Sequence, residues 1–107
     1  MPAYHKLVRD RIPEIIAVSG RRCTTSILSD EEYLHQLREK CLEEWNEYLA
    51  AANDQERLEE LADLLEVIHA LTRVHGASPE VLEEVRREKA EKRGGFAEKV
   101  FLHEVVE

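Results

Sequence analysis

Between Asp54 and His75 the apolar residues Leu61, Leu64, Leu65, Val67, Ile68, Leu71 and Val74 recur at helical spacing. At about 100° per residue they cover well over half of the circumference of a helix. One neighbour cannot cover so wide an arc, so this helix needs apolar partners on more than one side. That requirement excludes a lone surface helix and predicts an all-α bundle of about four helices.

The other segments fit that architecture. Around Pro13, Ile12, Ile15 and Ile16 predict a short helix that reverses near Gly20. Ser29 followed by Glu32 has the spacing of a capping box, predicting a second helix to about Ala52, where Asn53 and Asp54 interrupt it. Asp54 is then placed to cap the third helix, which Gly76 stops near His75. Ser78 and Pro79 supply the cap and first position of a fourth helix ending near Gly94 and Gly95. Outside the helices, residues 23–28 are rich in Thr and Ile and residues 100–106 alternate weakly; together they predict a short terminal β-hairpin. The connections are short and no linker or repeat interrupts them, so residues 1–107 read as one domain.

Composition narrows the function. A chain of 107 residues is large enough for a core, yet small enough that an oligomer interface would add useful burial. Its net charge of -8 argues against a nucleic-acid coat, which needs clustered Lys and Arg to neutralise phosphates. No apolar run has the length of a membrane span, and the first residues lack the apolar stretch of a signal peptide. Cys23 and Cys41 lack metal-type spacing and read as free thiols, so a cytoplasmic protein is expected. No glycine-rich phosphate loop is present, so any contact with phosphate requires another device.

That device is suggested by acids placed symmetrically about the turn at Asn53 and Asp54. Glu47 and Glu60 are equidistant from it, as are Glu44 and Asp63 one helical turn farther back. With a rise of about 1.5 Å per residue, an antiparallel hairpin stacks these carboxylates in two layers. Glu60 falls between Val67 and Leu71 inside the apolar arc, and Asp63 falls at the edge of that arc. On the second helix Glu44 lies beside Leu37, Glu47 about 60° farther round, and Glu43 closer to solvent. Acids drawn together at an apolar seam repel one another and lose hydration, both of which a divalent cation offsets. Magnesium, a hard ion that bridges carboxylates to phosphates, fits best, with manganese as a substitute. Acids at helical spacing more often mark a solvated face, and the symmetry of two pairs is what argues otherwise.

Here the chain resembles a known group: Glu43-Glu44-x-x-Glu47 followed by Glu60-x-x-Asp63 is similar to the EExxE and ExxD motifs of the MazG-like all-alpha NTP pyrophosphatases. The stretches YHKLVRDRIPEII, ILSDEEYLHQL, LEELADLLEVIHAL and KAEKRGGF resemble its small phosphoribosyl-ATP pyrophosphohydrolase-like branch, and this likeness spans nearly the whole chain. The resemblance implies a house-cleaning enzyme that hydrolyses a nucleoside triphosphate to the monophosphate and pyrophosphate. Its magnesium would be held at Glu44, Glu47, Glu60 and Asp63, with Glu43 as an additional acid and Glu44 or Glu47 accepting a proton from the attacking water. It also implies a homodimer or homotetramer that completes the bundle. Lys6, Arg9, Lys92 and Arg93 lie in the matching terminal motifs and become candidate contacts for the pyrophosphate, although cations at helix ends more often face water. Hydrolysis of phosphoribosyl-ATP and a non-catalytic module that binds a nucleotide or protein remain alternatives.

Two further patterns carry less. Glu32-x-x-His35 and Glu66-x-x-His69 have the spacing of di-iron bundles, but on helical wheels they point away from the acid cluster. Trp45 and Tyr48 could stack on a base, though aromatics at helical spacing more often belong to a core.

Overall fold

The computed structural model describes residues 5–107. Its helices are α1 (Ile12–Val18), α2 (Asp30–Ala50), α3 (Asp54–Val74) and α4 (Pro79–Arg93). Tyr4, the first residue of the opening motif, lies outside the described residues.

Each long helix begins at a side-chain cap. Ser29 Oγ accepts the Glu32 N–H at 3.2 Å and donates to Glu32 Oε1 at 2.9 Å, which fixes the start of α2. Ser78 Oγ accepts the Val81 N–H, with Pro79 following in the first turn of α4. At the hairpin the cap is Asn53, one residue before the expected Asp54. Asn53 Oδ1 accepts the Glu56 N–H, and Glu56 Oε2 accepts the Ala52 N–H, each at 2.9 Å. This reciprocal pair satisfies donors on both sides of the cap and starts α3 immediately, leaving Asp54 to pair with Arg57 at 2.8 Å. Gly20 and Gly76 take φ of +86° and +83°, the left-handed turns that reverse the chain after α1 and end α3.

Antiparallel packing of α2 on α3 is the dominant tertiary contact; α4 packs on α3 more sparingly. Leu37 of α2 and Val67 of α3, at 3% and 9% exposure, are the buried apolar side chains among the described residues. Leu37 precedes Glu44 and Val67 follows Glu60 by the same two-turn interval, so the apolar and acidic parts of the seam share one face of each helix.

Much apolar surface has no cover within one chain. The accessible surface is 9827 Å², against roughly 6,100 Å² for a compact monomer of this mass. The radius of gyration is 18.4 Å, where a compact domain of this length has about 13 Å. Leu42, Trp45 and Leu49 form an exposed stripe along α2, and Leu58, Leu61 and Leu65 repeat the same spacing on α3. Trp45 stacks on Tyr48 with ring centroids 5.2 Å apart, but its 45% exposure places it outside the core of the single chain.

The expected β-hairpin is not formed: among the described residues there is no strand, and 23–28 and 100–106 are coil, exposed throughout except for the partly buried Leu28. Ile27, Val100 and Phe101 are 97%, 85% and 78% exposed, so neither segment has an apolar layer to pack on. Two isolated strands gain too little from pairing to offset their ordering entropy. No helix among the described residues is long and apolar enough to cross a membrane.

Candidate metal centre

Two successive turns of α2 carry Glu44 and Glu47, and two of α3 carry Glu60 and Asp63. Antiparallel packing brings one carboxylate oxygen from each of the four within 4.8 Å of all the others. The symmetry about the turn is therefore realised in three dimensions. Glu43 is not among them; it lies beside Lys40, with Nζ 3.3 Å from its Oε2.

Burial within the cluster is uneven. Glu44 is the buried member at 6% exposure, Glu60 and Asp63 are half-buried, and Glu47 is open to solvent. The helical wheel assigns Glu60 to the apolar arc and Glu44 only to its edge, whereas the packed hairpin buries Glu44 most deeply. It does so because the Leu37 face of α2 is the one that meets α3. Glu44 Oε2 and Glu60 Oε2 are both buried and receive no hydrogen bond. An ionised carboxylate only accepts, so two such oxygens facing other carboxylates need either a retained proton or a cation.

Proton affinity follows this geometry. Burial first, then a shared hydrogen bond with Glu47 and the charge on Glu47, raise the Glu44 pKa to about 7. Lys40, with Nζ 3.7 Å from Glu44 Oε1, partly opposes the rise. The Glu60 pKa is also raised, chiefly by sharing a hydrogen bond with Glu47. A carboxyl that holds its proton more tightly when folded than when unfolded stabilises the fold at low pH. For Glu44 that contribution is complete below the ordinary value of 4.5 and is lost as pH rises through about 7. In chelator, thermal melting at fixed protein concentration is therefore expected to fall between pH 5 and 8, with divalent cation reversing the loss at the upper end. A melting temperature that rises steadily over this range with chelator present contradicts the assignment.

A cavity of about 260 Å³ opens beside the acids, lined by Lys6, Arg9 and Lys40 together with Glu44 and Asp63. Lys6 and Arg9, singled out in the sequence, are thus brought to the site. Arg9 Nη2 lies 2.6 Å from Asp63 Oδ1. Lys92 and Arg93 occupy the last turn of α4 and do not line this cavity. Lys40 escaped the sequence reading, although its position four residues before Glu44 was the available signal. The Glu32 and His35 pair and the Glu66 and His69 pair stay outside the cluster. A larger hollow of about 400 Å³ lies toward the other end of the hairpin, lined by Asp30, Tyr33 and Arg73 among others. It lacks the carboxylate cluster.

Fold and site together define the class: an all-α protein whose central helical hairpin carries four converging carboxylates. The chain is 48% identical over 54 residues to an uncharacterized protein of Mycolicibacterium smegmatis. That match covers 50% of this chain and 55% of the relative, so it spans about half the length of each. No family model matches the chain, and no solved structure matches it.

Proposed function

We propose that this chain is a magnesium-dependent nucleotide pyrophosphohydrolase that converts a nucleoside triphosphate, including noncanonical ones, to the monophosphate and pyrophosphate. The observation that carries this reading is the set of four carboxylates within 4.8 Å, whose Glu44 is buried and leaves Oε2 without a donor. The donor set is all oxygen, which suits magnesium or manganese better than softer metals. The likeness to EExxE and ExxD motifs points to the same chemistry.

Glu44, Glu47, Glu60 and Asp63 would hold the ion. When bound, it neutralises phosphate oxygens and lowers the pKa of a coordinated water. Glu47, the solvent-exposed acid, is the one a water reaches most directly and accepts its proton. Lys6 and Arg9 face the cavity and meet the negative charge of the phosphate chain. The exposed stripes on α2 and α3 are covered by a second copy, in a homodimer or a tetramer built from it. Free Cys23 and Cys41 suit the reducing cytoplasm.

The test is pyrophosphate release from a panel of standard, damaged and phosphoribosyl nucleotides, with magnesium and with chelator. Metal-dependent release from at least one triphosphate is expected. Preference for phosphoribosyl-ATP would move the assignment to that substrate. Nucleotide binding without any release would make the chain a binding module.

A further inference from the structure

Arg9 reaches the acid cluster from outside the hairpin. It precedes α1, yet its guanidinium closes on Asp63 Oδ1 of α3 at 2.6 Å. Lys40 holds Glu44 Oε1 more loosely at 3.7 Å, so Arg9 and Lys40 are both resident at the acid cluster. The opposite oxygen of Glu44 has no partner, although its side chain is only 8% exposed.

The two resident cations differ in how firmly they are placed. The Lys40 side chain is 18% exposed and is fixed on α2 one turn from Glu44. The Arg9 and Asp63 side chains are 57% and 39% exposed, and Arg9 belongs to a non-helical segment. An ion pair so open to water is weak, and a divalent ion competes well for the same oxygen. Once released, a guanidinium on the cavity wall presents a planar fork suited to phosphate oxygens.

We propose that Arg9 is an exchangeable counter-ion: it neutralises Asp63 until a divalent cation takes its place, then turns onto the phosphate chain of the incoming substrate. This deepens the metal-site reading and rests on it. Arg9 opposes binding of metal alone and favours binding of metal together with an anion, so the protein loads the two as a pair. A residue that only tethered the N-terminal segment would change both affinities in the same direction or neither.

Mn²⁺ uptake by native chain, Arg9→Gln and Arg9→Lys, followed by the resonance of free Mn²⁺, tests the first half. Calorimetry with the manganese complex of inorganic tripolyphosphate, which presents the phosphate chain without a base, tests the second. Arg9→Gln is expected to bind Mn²⁺ about threefold more tightly, as removal of a weak exposed pair allows. It should bind the tripolyphosphate complex about tenfold more weakly, as loss of a charge-assisted contact implies. Arg9→Lys, which keeps the charge but not the planar fork, should stay close to native for Mn²⁺ and fall between native and Arg9→Gln for the tripolyphosphate complex. Equal shifts in one direction, or unchanged constants in a protein that takes up Mn²⁺, overturn the exchange and leave the metal site standing. No uptake by native chain or variants overturns both.

Discussion

Glu60→Gln is expected to lower magnesium-dependent pyrophosphate release by at least about a hundredfold while leaving helicity and assembly unchanged. The amide keeps the approximate shape of the side chain but removes a charge that would hold the ion, and loss of one preorganised electrostatic contact commonly costs that much. The fold is not expected to suffer. Glu60 sits among Glu47, Glu44 and Asp63, and its pKa is raised first by the hydrogen bond it shares with Glu47, then by burial and by the charges of Glu47 and Asp63; ionised, it adds to that crowding of negative charge. Gln relieves it, so the variant in chelator should melt at the native temperature or above. Magnesium should then raise the melting point of the native chain and barely move the variant, because a ligand stabilises only the state that binds it. Turnover equal to native would remove Glu60 from the mechanism, and unfolding of the variant would mean that the carboxylate is structural.

The paired substitution Leu61→Asp and Leu65→Asp should have the larger effect on stability. Both residues lie on the exposed stripe of α3, at 43% and 49% exposure, and α2 carries an exposed stripe of the same spacing. The chain exposes roughly 3,700 Å² more surface than a compact monomer of its mass, an excess that a stable interface between copies can absorb. Burying a leucine contributes about 1.5–3 kcal/mol, so replacing two with charged groups should cost about 4 kcal/mol of association. That corresponds to a dissociation constant about a thousandfold weaker. Sedimentation should show a native dimer or tetramer at micromolar concentration and a variant monomer, with a much lower melting temperature because little of the chain has a core of its own. A native chain that sediments as a well-folded monomer would show that these stripes have another occupant.

These two expectations separate what was legible in the residues from what was not. The helix starts at Ser29 and Ser78 were readable because capping is local: a hydroxyl and an N–H three residues on find each other without tertiary help. The convergence of Glu44, Glu47, Glu60 and Asp63 was readable because an antiparallel hairpin pairs positions by their distance from the turn, and that distance is counted along the chain. The strands at 23–28 and 100–106 misled, since Thr, Ile and Val favour extended backbone only when a packed surface receives them, and none is offered here.

The sequence alone determined the four helices, the positions of their turns and the set of acids that meet, because each depends on contacts between near neighbours or on symmetry about one turn. Which acid is buried, which cations reach the cluster and which leucines stay uncovered were decided by tertiary structure. Those outcomes depend on the rotation of α2 against α3 and on the return of Arg9 to the hairpin, which join residues far apart in the chain and leave no local periodicity to read.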